Sequence, residues 1–144
     1  MNNNTPFWIM LAREGETTDG RHINAETLIA LAKSYSPEIY SARVYKSRSP
    51  SIASGIVGEA IGDILAAKTE LQNDAVCLYV LIEPREYCFY TLITQELENM
   101  PIYPALEYLP NMAVIAAPYI TGMAITTGPV IKNLEPLNKY MVKA

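Results

Sequence analysis

Metal-binding and redox-active side chains are scarce in this sequence. It has one histidine, His22, and two cysteines, Cys77 and Cys88. A structural zinc site needs about four ligands at clustered spacing, so a metal centre is not expected. Cys77 lies in the apolar run 75–82 and reads as a core thiol. Basic runs are missing too: no stretch of Lys or Arg exceeds two residues, and the net charge is −4. A nucleic-acid binder ordinarily shows a basic face, so that class is set aside. No apolar run approaches the roughly 20 residues that span a bilayer. Residues 1–4 carry no positive charge ahead of an apolar stretch, so no secretory signal is expected. The glycines of residues 55–62 lack the lysine and the Ser or Thr of a phosphate-binding loop. The expectation is a cytoplasmic protein with no cofactor and no membrane or nucleic-acid partner.

What remains is ordinary globular material. Half of the 144 residues are hydrophobic and 18% are charged. One domain over 1–144 is expected, large enough to hold a core without metal or disulfide. Ten prolines argue against a simple helical bundle, and ten tyrosines suit core and rim positions. Glu96, Glu98 and Glu107 read as a solvated acidic face.

The pattern along the chain predicts short strands. Phe7 to Leu11 is an apolar strand. Residues 13–21 form a polar loop ending in the Asp19-Gly20 turn. Asn24 caps a helix from Ala25 to about Ser34, where Leu28, Leu31 and Ala32 share one face. A strand follows at 42–45, then a serine-rich loop at 46–54. Residues 61–71 fit helix or strand, with alanines favouring helix. Asn73-Asp74 is a turn, and 75–82 is the clearest strand. Pro84 opens a second helix reaching Glu96 or Glu98. Strands follow at 106–109, 114–117 and 119–126, then a Gly128-Pro129 turn and a short helix at 137–142. Without βαβ alternation, the class is α+β: a small, mostly antiparallel sheet or barrel flanked by helices.

Three stretches carry a family resemblance. One is Glu14-Gly15-Glu16-Thr17-Thr18-Asp19-Gly20-Arg21, followed by the helix, residues 35–40 and Arg43. Another is Gly62-Asp63-Ile64. The last is Ile102-Tyr103-Pro104-Ala105-Leu106-Glu107-Tyr108 with Pro110-Asn111 and residues 119–129. This order resembles the N-terminal domain of the GPO-type capsid scaffolding proteins of tailed phages, which are serine proteases fused to a scaffolding helix. The resemblance implies a fold similar to phage prohead and herpesvirus maturation proteases, often dimeric. It also implies an Asp-His-Ser triad. The Asp falls at Asp19, the His position is held by Arg48, and the Ser position is held by Ala105.

Alanine has no nucleophilic atom, and arginine stays protonated at physiological pH and cannot act as base. Peptide-bond cleavage is therefore not expected, and an Arg48–Asp19 ion pair would stand in for His–Asp. Substitute groups are weak. His22 reads as a surface or capping residue. Ser47, Ser49 and Ser51 read as turn residues, and Cys88 as a buried thiol. The chain stops where the protease domain of the family ends, so the scaffolding helix is expected to be absent. The reading is an inactive homologue that binds phage capsid, scaffold or protease proteins, with homodimer formation carried over from the family. The alternative is an active serine or cysteine peptidase that processes capsid proteins.

Overall fold

The computed structural model describes residues 5–45, 60–85, 102–126 and 128–137. Most of them belong to one six-stranded sheet. In chain order its strands are β1 (Phe7–Arg13), β4 (Arg43–Tyr45), β5 (Ala60–Gln72), β6 (Ala75–Pro84), β7 (Tyr103–Met112) and β8 (Ala117–Thr126). They lie in the order β1-β6-β5-β4-β8-β7. Two further strands, β2 (Gly15–Glu16) and β3 (His22–Ile23), form a small antiparallel hairpin. Every pairing is antiparallel except β4 with β8. The sheet curls, so that Tyr103 of edge strand β7 packs on a cluster that includes Met10 of the opposite edge strand β1.

The helix α1 (Ala25–Ser34) follows its sequence signals closely. Asn24 is extended, and its Oδ1 accepts from the Thr27 amide at 2.8 Å, satisfying one of the unpaired donors of the first turn. Leu28 and Leu31 are fully buried among Ile9, Leu11, Val44, Ile64, Leu78 and Val80. The helix thus covers the core face of the sheet. We expect Asn24→Ala to cost about 1 kcal/mol, read as a lower midpoint in denaturant unfolding.

Several sequence expectations need correction. Residues 61–71, open between helix and strand in the sequence, are strand, within the thirteen-residue β5, against the lean of their alanines. Alanine propensity amounts to a few tenths of a kcal/mol per residue, and tertiary pairing overrides it. Here β5 pairs with β6 over its whole length, from Gly62↔Pro84 to Gln72↔Ala75, around a bulge between Ile64 and Ala66. Asn73 and Asp74 close the hairpin with φ of 52° and 65°, the left-handed pair that a two-residue turn requires. Pro84 does not open a helix. It ends β6 opposite Gly62, and the Arg85 amide donates to the Ile61 carbonyl at 3.0 Å. The remainder of that expected helix, and the one at 137–142 beyond Leu137, lie outside the described residues, among which α1 is the single helix.

Residues 114–116 are not a strand but part of the turn joining β7 to β8, and of the expected strand only Ala117 is strand, as the first residue of β8. Ala116 lies at φ 54°, and the Ile115 and Ala116 amides donate to the Met112 carbonyl. Val114 is apolar, yet it sits at the turn tip, 86% exposed. β7 is longer than expected and takes in Pro104 and Pro110. It can do so because it bonds to β8 alone, and an edge strand tolerates residues without a ladder donor. No helix of the described residues is long and apolar enough to cross a membrane.

Candidate functional site

The registers of β4 and β7 coincide on the strand between them. Tyr45 pairs with Ala124 across the parallel ladder, and Ala105 pairs with the same Ala124 across the antiparallel one. The preceding row is Val44, Met123 and Leu106. Side chains alternate faces along a strand. Val44 and Met123 are fully buried in the main core, and Leu106 packs against it. The Tyr45–Ala124–Ala105 row therefore belongs to the opposite face of the sheet. All three residues line an open hollow of about 1140 Å³. That is larger than the ~300–1,000 Å³ of small-molecule pockets.

The second wall of the hollow comes from the β2–β3 hairpin, through Thr17, Arg21 and His22. The turn in this hairpin is closely bonded. The Thr17 amide donates to the Arg21 carbonyl at 2.8 Å, and the Gly20 amide to the Thr17 carbonyl at 3.2 Å. Gly20 has φ 86°, a conformation in which a side chain would be strained. Thr17 is the one buried polar residue among those described, at 7% exposure. Its hydroxyl donates to Asp19 Oδ1 and accepts from the Arg21 amide at 3.0 Å.

Asp19 itself is exposed and does not line the hollow, although its partners Thr17 and Arg21 do. Its Oδ2 accepts from Arg21 Nε at 3.0 Å. The Thr17 hydroxyl and the Arg21 guanidinium hold its carboxyl below the usual carboxylate range. In this arrangement Asp19 organises its own turn. His22 is exposed on β3, paired in register with Glu16, and faces the hollow. Arg48, Ser47, Ser49, Ser51 and Cys88 lie outside the described residues.

The chemistry available is narrow. Ala105 brings no nucleophile to the hollow. The hydroxyls on its walls are those of Thr17, Thr121 and Thr126 and of several tyrosines. Thr17 is committed to the turn, and Thr126 Oγ1 accepts from the Gly128 amide at 3.0 Å. Cys77 is fully buried and lies away from the hollow. Arg13 Nη1 donates to its sulfur at 3.5 Å, and burial pushes the thiol up. Among the described residues, no three His, Cys, Asp or Glu side chains converge as a metal site.

Sequence reasoning missed the residues that hold the chain between α1 and β4 in place. Tyr35 donates its hydroxyl to the Ile64 carbonyl at 2.5 Å and accepts from the Ala42 amide at 3.0 Å. Tyr119 lies beside it, ring centroids 5.4 Å apart. The Tyr119 hydroxyl accepts from the Ser36 amide at 3.1 Å and shares its proton between the Ser36 and Tyr40 carbonyls, at 2.6 and 2.7 Å. Together they fasten the segment between α1 and β4. The signal was the tyrosine count, which says nothing of partners.

Comparison with known proteins adds the rest. A family model described as GPO serine peptidase, N-terminal domain, matches residues 7–138. The capsid assembly scaffolding protein of Escherichia phage P2 is 27% identical over 130 residues, covering 86% of this chain and 44% of the phage protein. The chain therefore spans less than half the length of that relative. No solved structure matches it.

Proposed function

Because the chain belongs to the family of GPO serine peptidase N-terminal domains, we propose that it serves phage capsid assembly as a domain that binds capsid or scaffold proteins without cutting them. The observation that carries this reading is Ala105. It lines the hollow in register with Tyr45 and Ala124, at the position where the family resemblance calls for the serine nucleophile. The strand pairing is regular around it, and what supports the reading is that this position brings no reactive atom to the hollow. Arg48, read at the position of the base, is part of the same proposal. Losing nucleophile or base commonly removes several orders of magnitude of rate. The partners we propose are proteins, rather than nucleic acid or membrane, and include a second copy of this chain.

The test is co-expression of the chain with the major capsid and scaffold proteins of a related phage, followed by affinity capture and intact-mass measurement. Full-length partners are expected to co-purify. Shortened partners would overturn the reading, and capture of neither protein would remove the binding role.

A second reading has one observation in its favour. His22, the sole histidine, faces the same hollow as Thr121 and Thr126. A base and a hydroxyl facing one hollow are the minimum for an acyl-transfer enzyme. We expect serine- and cysteine-directed activity probes to leave the chain unlabelled. Labelling that His22→Ala abolishes would establish this reading instead.

A further inference from the structure

Residues 128–137 run from the end of β8 back across the molecule and are held at both ends. At one end, the Thr18 amide donates to the Val130 carbonyl at 2.7 Å, Thr18 Oγ1 donates to the Pro129 carbonyl at 3.4 Å, and Thr17 bridges to Ile131. At the other, Leu134 is buried against Met10 and Cys77, where β1 and β7 come together. Leu137 is fully buried in the main core, and its amide donates to the Ile102 carbonyl at 2.6 Å. Gly128, Val130 and Ile131 also line the hollow.

The segment therefore has two separate attachments. Its C-terminal half is anchored by apolar burial, and its N-terminal half is bonded to the turn that contains Asp19. Between them stands Asn133, exposed and at φ 64°. Asparagine tolerates this left-handed conformation, whereas a β-branched residue does not.

From this connectivity we infer that residues 128–137 are a docked strap whose seating at the β1–β7 seam holds the Asp19 turn and one wall of the hollow in shape. Unseating the strap withdraws the acceptors for both Thr18 donors and the bridge to Thr17. The remaining turn bonds are local to residues 17–21, and local segments with few long-range bonds open at low free energy. Access to the hollow and the geometry of the turn are then governed by one element. This holds whether or not the domain cleaves a partner.

The test is amide hydrogen exchange, resolved by residue, on Asn133→Val. This surface substitution strains the strap without removing a buried side chain. Leu134→Ala serves as a second variant that loosens the seam instead. The expected result in both is roughly tenfold faster exchange at Thr17, Thr18 and Arg21, together with Leu137. Protection at Ile9 and Val80, deep in the sheet, should change less. The Arg21 amide is the deciding probe, because it bonds Thr17 rather than the strap. If Thr18 alone accelerates while Thr17 and Arg21 keep their protection, the strap does not hold the turn. If Ile9 and Val80 accelerate by the same factor, the turn opens only with the whole fold, and the inference is equally overturned.

Discussion

Tyr119→Phe should lower the unfolding free energy by about 2 to 3 kcal/mol, although it removes a single oxygen atom. The ring is fully buried and would stay in place. What is lost is a hydroxyl with three backbone partners, at Ser36 N, Ser36 O and Tyr40 O. The Ser36 carbonyl keeps the Ile39 and Tyr40 amides as donors, so its loss is small. The Ser36 amide and the Tyr40 carbonyl have no such reserve among the bonds described above. A polar group left without a partner in a partly buried place costs about 1–3 kcal/mol. Urea unfolding of wild type and variant, compared at equal slope, measures the difference. A change under about 0.5 kcal/mol would mean that water takes over these groups and that Tyr119 does not fasten the segment before β4.

The second large effect depends on pH. Burial, the leading cause, pushes the Tyr35 hydroxyl from its ordinary 10.0 up to about 12. Below pH 10 the folded and unfolded chains both keep this proton, and Tyr35 adds no pH dependence. From about pH 10 to 12 the unfolded chain releases it while the folded chain retains it. The unfolded state then binds fewer protons, so stability falls as pH rises, by at most about 3 kcal/mol over the window. Tyr35→Phe abolishes this slope. At pH 9 the variant should be the less stable protein, since the Ile64 carbonyl and the Ala42 amide lose their partner. The gap should narrow steadily towards pH 12. Parallel stability curves for the two proteins would show that the proton on Tyr35 is not the one retained.

Where the sequence was legible, the cause was local. The Asn24 cap, the Leu28–Leu31 face and the Asn73-Asp74 turn each depend on residues a few places apart, and each stands where the pattern put it. The same holds for 75–82, whose β-branched residues state their preference without help. What was left open or misread has a different cause. β5 is a strand because β6 lies beside it, and Pro84 belongs to β6 because Gly62 lies opposite. Neither fact is written in its own neighbourhood. Val114–Ala116 shows a third case, in which apolar side chains sit on a turn and hydrophobicity misleads. The site divides in the same way. Ala105 was found through resemblance, and the structure adds that it shares a row with Tyr45 and Ala124. The bonding of Asp19 to Thr17 and Arg21 could have been anticipated from the turn itself, since short Asp and Thr side chains commonly bond to nearby backbone and to each other's neighbours.

The single parallel pairing in the sheet has a kinetic consequence. β4 sits between β5 and β8, and its partner on one side, β8, is the last of the described strands in chain order. β1 likewise waits for β6. A ribosome-bound chain can close the β5–β6 hairpin early, because its two strands are joined by two residues. It cannot complete the sheet until residues near 124 have emerged. Loop closure over such separations is slow, and domains dominated by distant strand pairing fold over milliseconds to seconds. During that interval the side of β4 that awaits β8, three residues long, offers unpaired backbone groups to a wrong strand. Its brevity limits how firmly a wrong strand can be held.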